Sequence, residues 1–353
     1  MCTSLLTFDA DGMAYVGRGI EYSRLMPTEI SYLPAGTTVE SSTPDGKQGK
    51  TFSTQYPILA FVGQSIPSAK FPAVFQGTND QGLSFGAQTL INSNSPPVGN
   101  DPSKILSVND LGAWILGSFK NVPEVKAALL SGDTEFWLPL VPDFGNTPYQ
   151  EHYAVFDKNG GAIVIEFINN KLNVYDNPVY VMTNQPQFPW HLENLNNYTF
   201  TNLDQNTGQL GKLKIASTDA GIALTALPSS QTSVGRFVKA AFYANYVRKA
   251  KTPDEAITTL AHIMNNFDRP YDLTVDGAGS VGDGPGDDNE STEVSWVLFL
   301  HDLSRNLFYV RSINAMNWSV IDINKLKGVK EIKSINSYEV NQAGADAFTQ
   351  FYQ

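Results

Sequence analysis

The only cysteine of this 353-residue chain is its second residue, and it heads a strand-like run, Cys2 to Phe8, that turns near Asp11-Gly12 into a second run, Ala14 to Tyr22. One thiol excludes an intrachain disulfide, so the fold has to be held by its core. Apolar residues make up 42% of the chain and aromatic ones 11%, enough for the interior of one large domain, taken here as residues 1–353. A neighbour as small as Cys2 allows Met1 to be removed, and residue 2 then carries both a thiol and a free α-amine. These groups ordinarily titrate near ~8.5 and ~7.7–8, close enough to exchange a proton at neutral pH. Such a residue is a nucleophile with its own base attached.

The hairpin decides what lies beside that nucleophile. A two-residue turn at Asp11-Gly12 puts Glu21 opposite Cys2; a turn centred on Ala10-Asp11 puts Gly19 there. Either register brings Arg18 and Glu21 close to the amine. Residues three apart point to opposite faces of a regular strand, so both are expected at one site only with a bulge or a frayed end, and Gly19 is the candidate for a bulge.

Further strands are predicted at Ile58 to Val62, Leu83 to Ile91, His152 to Phe156, Ala162 to Phe167, Lys171 to Tyr175, Val179 to Thr183, Val294 to Leu300 and Phe308 to Arg311. Helices are predicted at Val108 to Phe119, Val122 to Leu130, Phe237 to Arg248 and Pro253 to Met264, the last with Thr252 as N-cap and Glu255 closing a capping box. Clustered strands separated by paired helices suggest an α+β arrangement of two stacked sheets faced by helices. Asp204 to Ser230 reads as an excursion from the core, and Asp272 to Glu293 as a polar loop.

A net charge of −11, from 24 basic and 35 acidic side chains, argues against nucleic acid and anionic membranes as partners. His152, His191, His262 and His301 are too scattered to form a zinc site with one cysteine, so no metal or cofactor is expected. No leader-like segment and no long apolar span is present, so the expected location is the cytoplasm, or the periplasm if a leader ends just before Cys2.

Two familiar patterns are declined. Gly82-Leu83-Ser84-Phe85-Gly86 fits G-x-S-x-G, but turn residues precede the serine and a strand follows it, the reverse of a hydrolase elbow. Gly277-Ala278-Gly279-Ser280-Val281-Gly282 is followed by Asp283-Gly284-Pro285-Gly286-Asp287-Asp288, which cannot open the helix that a dinucleotide needs.

Cys2 taken with Gly17-Arg18-Gly19-Ile20-Glu21-Tyr22, Gly77-Thr78-Asn79-Asp80-Gln81-Gly82-Leu83-Ser84, Met182-Thr183-Asn184-Gln185-Pro186, Trp190-His191-Leu192-Glu193-Asn194-Leu195 and Ser233-Val234-Gly235-Arg236-Phe237-Val238 resembles the choloylglycine hydrolase and penicillin V acylase family of N-terminal cysteine hydrolases. The resemblance spans most of the chain. It implies a four-layer αββα sandwich of two antiparallel sheets, with the nucleophile at the end of a central strand and a small-molecule amide as substrate. It also implies roles. Cys2 attacks, Arg18 holds the thiolate, Asn184 donates to the oxyanion, and Arg236 supports the charge network. Two positions depart from the family: Glu21 stands where an aspartate is usual, and Thr89 falls at the second oxyanion position, where its backbone N–H would serve. The missing asparagine there favours penicillin V acylase-like cleavage of a linear amide with an apolar acyl group, through a thioester acyl-enzyme. Conjugated bile salts and N-acyl homoserine lactones are the alternatives. Ile20, Tyr22, Phe61 and Trp137 are apolar candidates for the acyl pocket. The resemblance further implies a homotetramer, with the 204–230 excursion as an assembly element. Two competing readings remain: a catalytically silent binding protein on the same fold, and a serine esterase using Ser84.

Overall fold

Asp9 makes the first turn. Its Oδ1 accepts from the N–H groups of Asp11 (3.0 Å) and Met13 (2.9 Å), and Gly12, at φ +81°, supplies the left-handed residue. The loop therefore has three residues, Ala10 to Gly12, closed by the Asp9 N–H to Met13 carbonyl bond of 3.1 Å. Strands β1 (Cys2–Phe8) and β2 (Ala14–Tyr22) consequently pair with Cys2 opposite Ile20 and Ser4 opposite Arg18. This is neither register expected of a two-residue turn. The bulge is also displaced: against the Val294–Asp302 strand, the register shifts between Ile20 and Glu21, leaving Trp296 as the extra residue.

The computed structural model describes residues 2–22, 26–67, 69–142, 146–198, 207–216, 221–270, 273, 275–276 and 291–340. Two antiparallel sheets dominate. The first runs Val181–Met182, β1, β2, Val294–Asp302, Leu307–Ser312, Ser319–Asp322. The second runs Lys171–Asp176, Ala162–Ile168, Glu151–Asp157, Leu83–Thr89, Ala73–Asn79, Ile58–Gly63, Thr28–Leu33, Lys333–Asn336. Four of these strands, Thr28–Leu33, Ala73–Asn79, Ser319–Asp322 and Lys333–Asn336, were not predicted.

Helices close both outer faces. Helices α1 (Leu111–Ser118) and α2 (Val122–Leu130) bury Leu111, Ile115 and Val125 with Phe85, Tyr153, Val155 and Ile165 of the second sheet. After the short α3 (Phe188–Asn194), helices α4 (Ser233–Tyr246) and α5 (Pro253–Met264) bury Phe237, Leu260 and Met264 with Leu5 of β1 and Leu298. The result is the αββα sandwich. Bounds follow caps: Thr252 Oγ1 accepts from Glu255 N–H (3.2 Å), and α5 starts as predicted. Thr232 likewise accepts from Gly235 N–H (3.2 Å), which starts α4 at Ser233 rather than at Phe237 and brings Arg236 into its first turn. Thr207–Leu210 and Leu213–Ala216 form a small sheet paired with neither large one, while residues 277–290, and with them the declined glycine motif, lie outside the described residues. Among the described residues no helix is long and apolar enough to cross a membrane.

The seam between the sheets is partly polar. Gln88 Nε2 donates to Ser4 Oγ (2.5 Å), and Ser84 Oγ lies 3.3 Å from His301 Nδ1. Ser84 thus sits inside a strand, buried, with no elbow around it. Burial pulls the His301 imidazole down to about 3. The folded state therefore keeps His301 neutral while the unfolded chain protonates it near pH ~6.5, so its contribution to stability is complete above that pH and is lost as pH falls toward 3. Urea midpoints measured from pH 7 to pH 4 are expected to fall, and His301→Gln is expected to reduce that slope.

Candidate active site

Alternation along β1 assigns each neighbour a face. Ser4 meets Gln88 of the facing sheet, whereas Thr3 Oγ1 accepts from Arg236 Nη1 of α4 (2.7 Å). Cys2, two residues from Ser4, therefore turns its thiol toward the facing sheet, as does Arg18, which lies opposite Ser4. The fully buried Arg18 guanidinium crosses between the sheets and donates to the carbonyls of Gly19 and Ala87. Glu21 comes from the other side. Its Oε2 is 3.9 Å from Arg236 Nη1, and its Oε1 folds back over Gly19, where an added Cβ would stand 2.7 Å away. Gly19 thus accommodates the extra methylene of a glutamate, and no bulge is needed to bring Arg18 and Glu21 onto one face, because they flank Cys2 from two faces.

Arg236 clamps the start of the chain. It donates to the Cys2 carbonyl, to Thr3, to Asn184 Oδ1 (2.9 Å) and, through Nε, to the Gln231 carbonyl (2.9 Å). Arg269, which the sequence did not single out, shares that Gln231 carbonyl and bonds Glu293 Oε2 at 2.9 Å. Burial raises the Glu21 carboxyl, and the Arg236 and Arg269 charges oppose that rise; burial likewise lowers Arg236, opposed by Glu21. These are mutually compensating buried charges.

Asn184 is held on every side. Its Oδ1 accepts from Cys2 N–H (2.6 Å) as well as from Arg236, and two donors at one atom fix the orientation of the amide. Its Nδ2 donates to the Thr89 carbonyl (3.0 Å). Ser233 Oγ accepts from Asn184 N–H (3.0 Å), and His191 Nε2 bonds the Asn184 carbonyl (2.9 Å). Burial lowers His191 to about 4, so the ring is neutral and Nε2–H is its donor. One residue earlier, His152 Nε2 bonds the Thr183 carbonyl (2.9 Å) while its Nδ1 meets Glu166 Oε1 (3.0 Å). His152, Glu166, His191 and Ser233 received no role from the sequence, although the quoted motifs contain two of them.

Thr89 ends its strand beside this amide. Leu90 N–H bonds the Gln150 carbonyl (2.9 Å), so alternation turns the Thr89 N–H away from the Glu151–Asp157 strand. Cys2, Arg18, Glu21, Thr89 and Asn184 all line one cavity of about 830 Å³. Ile20, Tyr22 and Phe61 also line it, joined by Met26, Phe75 and Trp296. Trp137 does not: its strand, Glu135–Trp137, pairs with Ile105–Ser107, and its Nε1 donates to the Ser42 carbonyl at 2.5 Å, away from the cavity.

Over residues 2–281 the chain matches the family described as linear amide C–N hydrolases, choloylglycine hydrolase family. The protein belongs to that family and is an amide hydrolase of the N-terminal-nucleophile fold. A bile salt hydrolase/transferase from Clostridium perfringens is 26% identical over 350 residues, covering 97% of this chain and all of the relative. Among solved structures, a mutant of conjugated bile acid hydrolase from Clostridium perfringens aligns with a TM-score of 0.77 at 24% identity, covering 97% of this chain and 98% of that one. Penicillin V acylase from Agrobacterium tumefaciens aligns with a TM-score of 0.72 at 21% identity, covering 95% and 91%.

The contact between Gly19 and the Glu21 carboxylate yields a paired test. Gly19→Ala is expected to displace that carboxylate and lower kcat/KM on the order of 10²-fold, the usual cost of misplacement by about an ångström. Adding Glu21→Asp, which shortens the side chain, is expected to restore part of the loss; equal rates for all three proteins would contradict the contact.

Proposed function

We propose that the protein hydrolyses a linear amide with an apolar acyl group, in the manner of a penicillin V acylase, through a thioester on Cys2. The observation that carries this reading is the joint position of Cys2. Its N–H is 2.6 Å from Asn184 Oδ1, and its thiol shares the cavity and the sheet face of Arg18. With Met1 removed, that nitrogen is an amine held by Asn184. It takes the thiol proton as sulfur attacks the amide carbon, while the Arg18 charge favours the thiolate. The oxyanion of the tetrahedral intermediate accepts from Asn184 Nδ2, released from the Thr89 carbonyl, and from the Thr89 N–H. Collapse breaks the C–N bond, the amine base returns its proton to the leaving nitrogen, and water then cleaves the thioester.

The apolar wall of Ile20, Tyr22, Phe61 and Trp296 suits a hydrophobic acyl group. Hydrolysis of conjugated bile salts is the second reading, favoured by the bile salt hydrolase/transferase that is similar over the whole chain. Purified protein lacking Met1 is expected to release free amine fastest from penicillin V when compared with glycocholate and a long-chain N-acyl homoserine lactone. Cys2→Ala is expected to abolish release and Asn184→Ala to reduce it about 10²- to 10³-fold. Release from none of the three, together with no alkylation of Cys2 by iodoacetamide at pH 6, would favour a silent binding protein instead.

The assembly belongs to the same proposal: a homotetramer in which the 204–230 excursion contributes contacts, supported by the separate sheet that Thr207–Leu210 and Leu213–Ala216 form. Light scattering is expected to give a tetramer for the full chain and a smaller species when that segment is shortened.

A further inference from the structure

Arg18 is a buried cation in neutral company. Two of its nitrogens donate to the carbonyls of Gly19 and Ala87, and among the described residues it forms no ion pair. Glu21 and Glu151 are the carboxyls whose fields reach it, while Arg236 and Arg269 are engaged with Glu21 and Glu293. Its remaining donor, Nε–H, is fully buried and meets no acceptor. A lone buried donor is rare enough to need a cause.

The cause lies across the seam. Gln76, on the Ala73–Asn79 strand, pairs with Gly86 of the Leu83–Thr89 strand. Opposed residues share a face, and here it is the face toward the first sheet, because Gln76 Nε2 donates to Ser84 Oγ (3.3 Å), which in turn lies 3.3 Å from His301 Nδ1 of that sheet. Gly86 leaves this face open. A Cβ added there would stand 2.5 Å from Gln76 Oε1 and 3.5 Å from Arg18 Nε, so the two atoms converge on the space that the glycine provides. Gln76 Oε1 is itself buried without a donor. Exchanging the oxygen and nitrogen of the amide would aim another donor at a cation, so charge fixes which end faces Arg18.

We propose that Gln76 is a positioning residue for Arg18: its amide oxygen is the acceptor for the Nε edge of the guanidinium, and because that oxygen is neutral it aims the cation at the Cys2 sulfur without cancelling its charge. Gly86 is the residue that lets the amide cross. The inference rests on the reading of Cys2 as a nucleophile whose thiolate Arg18 favours, and it adds the group that holds this cation. A carboxylate at the same place would grip the guanidinium and neutralise it, so neutrality is part of the role.

The rate of Cys2 alkylation by iodoacetamide, followed from pH 5 to pH 10 in protein lacking Met1, reads the thiolate directly and needs no substrate. Arg18→Leu, the reference, is expected to move the midpoint of the profile to higher pH by about one to three units, the effect of losing a close opposite charge. Gln76→Met keeps the length of the side chain without its acceptor and is expected to move the midpoint the same way by about half a unit. Gln76→Glu is expected to move it by about one unit or more, since the new carboxylate neutralises the cation. Gly86→Ala, whose methyl group displaces the Gln76 oxygen, is expected to behave as Gln76→Met does and tests the contact with the amide intact. A seam contact that only stabilises the fold would lower urea midpoints and leave the alkylation profile in place. With Arg18→Leu displaced, a profile unmoved by Gln76→Glu, or by both Gln76→Met and Gly86→Ala, would overturn the inference alone. A profile unmoved by Arg18→Leu would overturn the thiolate reading together with it.

Discussion

A buried guanidinium on the first turn of a helix holds the beginning of the chain in place. Arg236 binds the Cys2 carbonyl, Thr3 and Asn184 together, so the nucleophile, its strand and the amide beside it form one rigid unit. A charge enclosed in this way needs opposite charge and hydrogen bonds on most of its donors, and Glu21 and the Gln231 carbonyl supply them. The energetic consequence is asymmetric. Removing any one partner strands a buried charge or an unfilled donor, so this part of the molecule tolerates joint change far better than single change.

The Thr183–Asn184 segment shows how far that rigidity extends. His152 and His191 fix two successive carbonyls, and Ser233 fixes the N–H between them. Glu166 Oε1, which meets His152, also accepts from Phe188 N–H at 2.8 Å and so ties the start of α3 to the same network. Asn184 presents its amide from a backbone with little freedom to relax, the preorganisation that its proposed oxyanion role requires.

Much of this could be read from the residues, and the misses have physical causes. The strong local signals worked: α2 and α5 have the expected bounds because Asn121 and Thr252 cap them, and β1 and β2 run as their apolar stretches suggested. The strand Ala73–Asn79 was missed because its sequence lacks a clean alternation and tertiary burial decides its state, while Thr28–Leu33 was missed although Glu29-Ile30-Ser31-Tyr32 alternates, because the run is short. The hairpin register was missed because Asp-Gly was taken as a two-residue turn, whereas the Asp9 side chain recruits a third loop residue. Glu166 lies far from the motifs in sequence and is brought to the site by sheet order, and Arg269 by the loop after α5, where its N–H bonds Ser295 Oγ. Trp137 illustrates the converse, an apolar residue whose indole N–H finds a carbonyl elsewhere.

That hairpin loop has an electrostatic consequence. Directly opposed residues share a face, so the observed register places the sulfur on the side of the sheet that carries a cation, Arg18. A shift of the pairing by one residue would set Glu21 or Gly19 opposite Cys2 and exchange the guanidinium side for the carboxylate side. The three-residue loop, by fixing that register, therefore selects the sign of the field at the nucleophile from a point remote from the cavity.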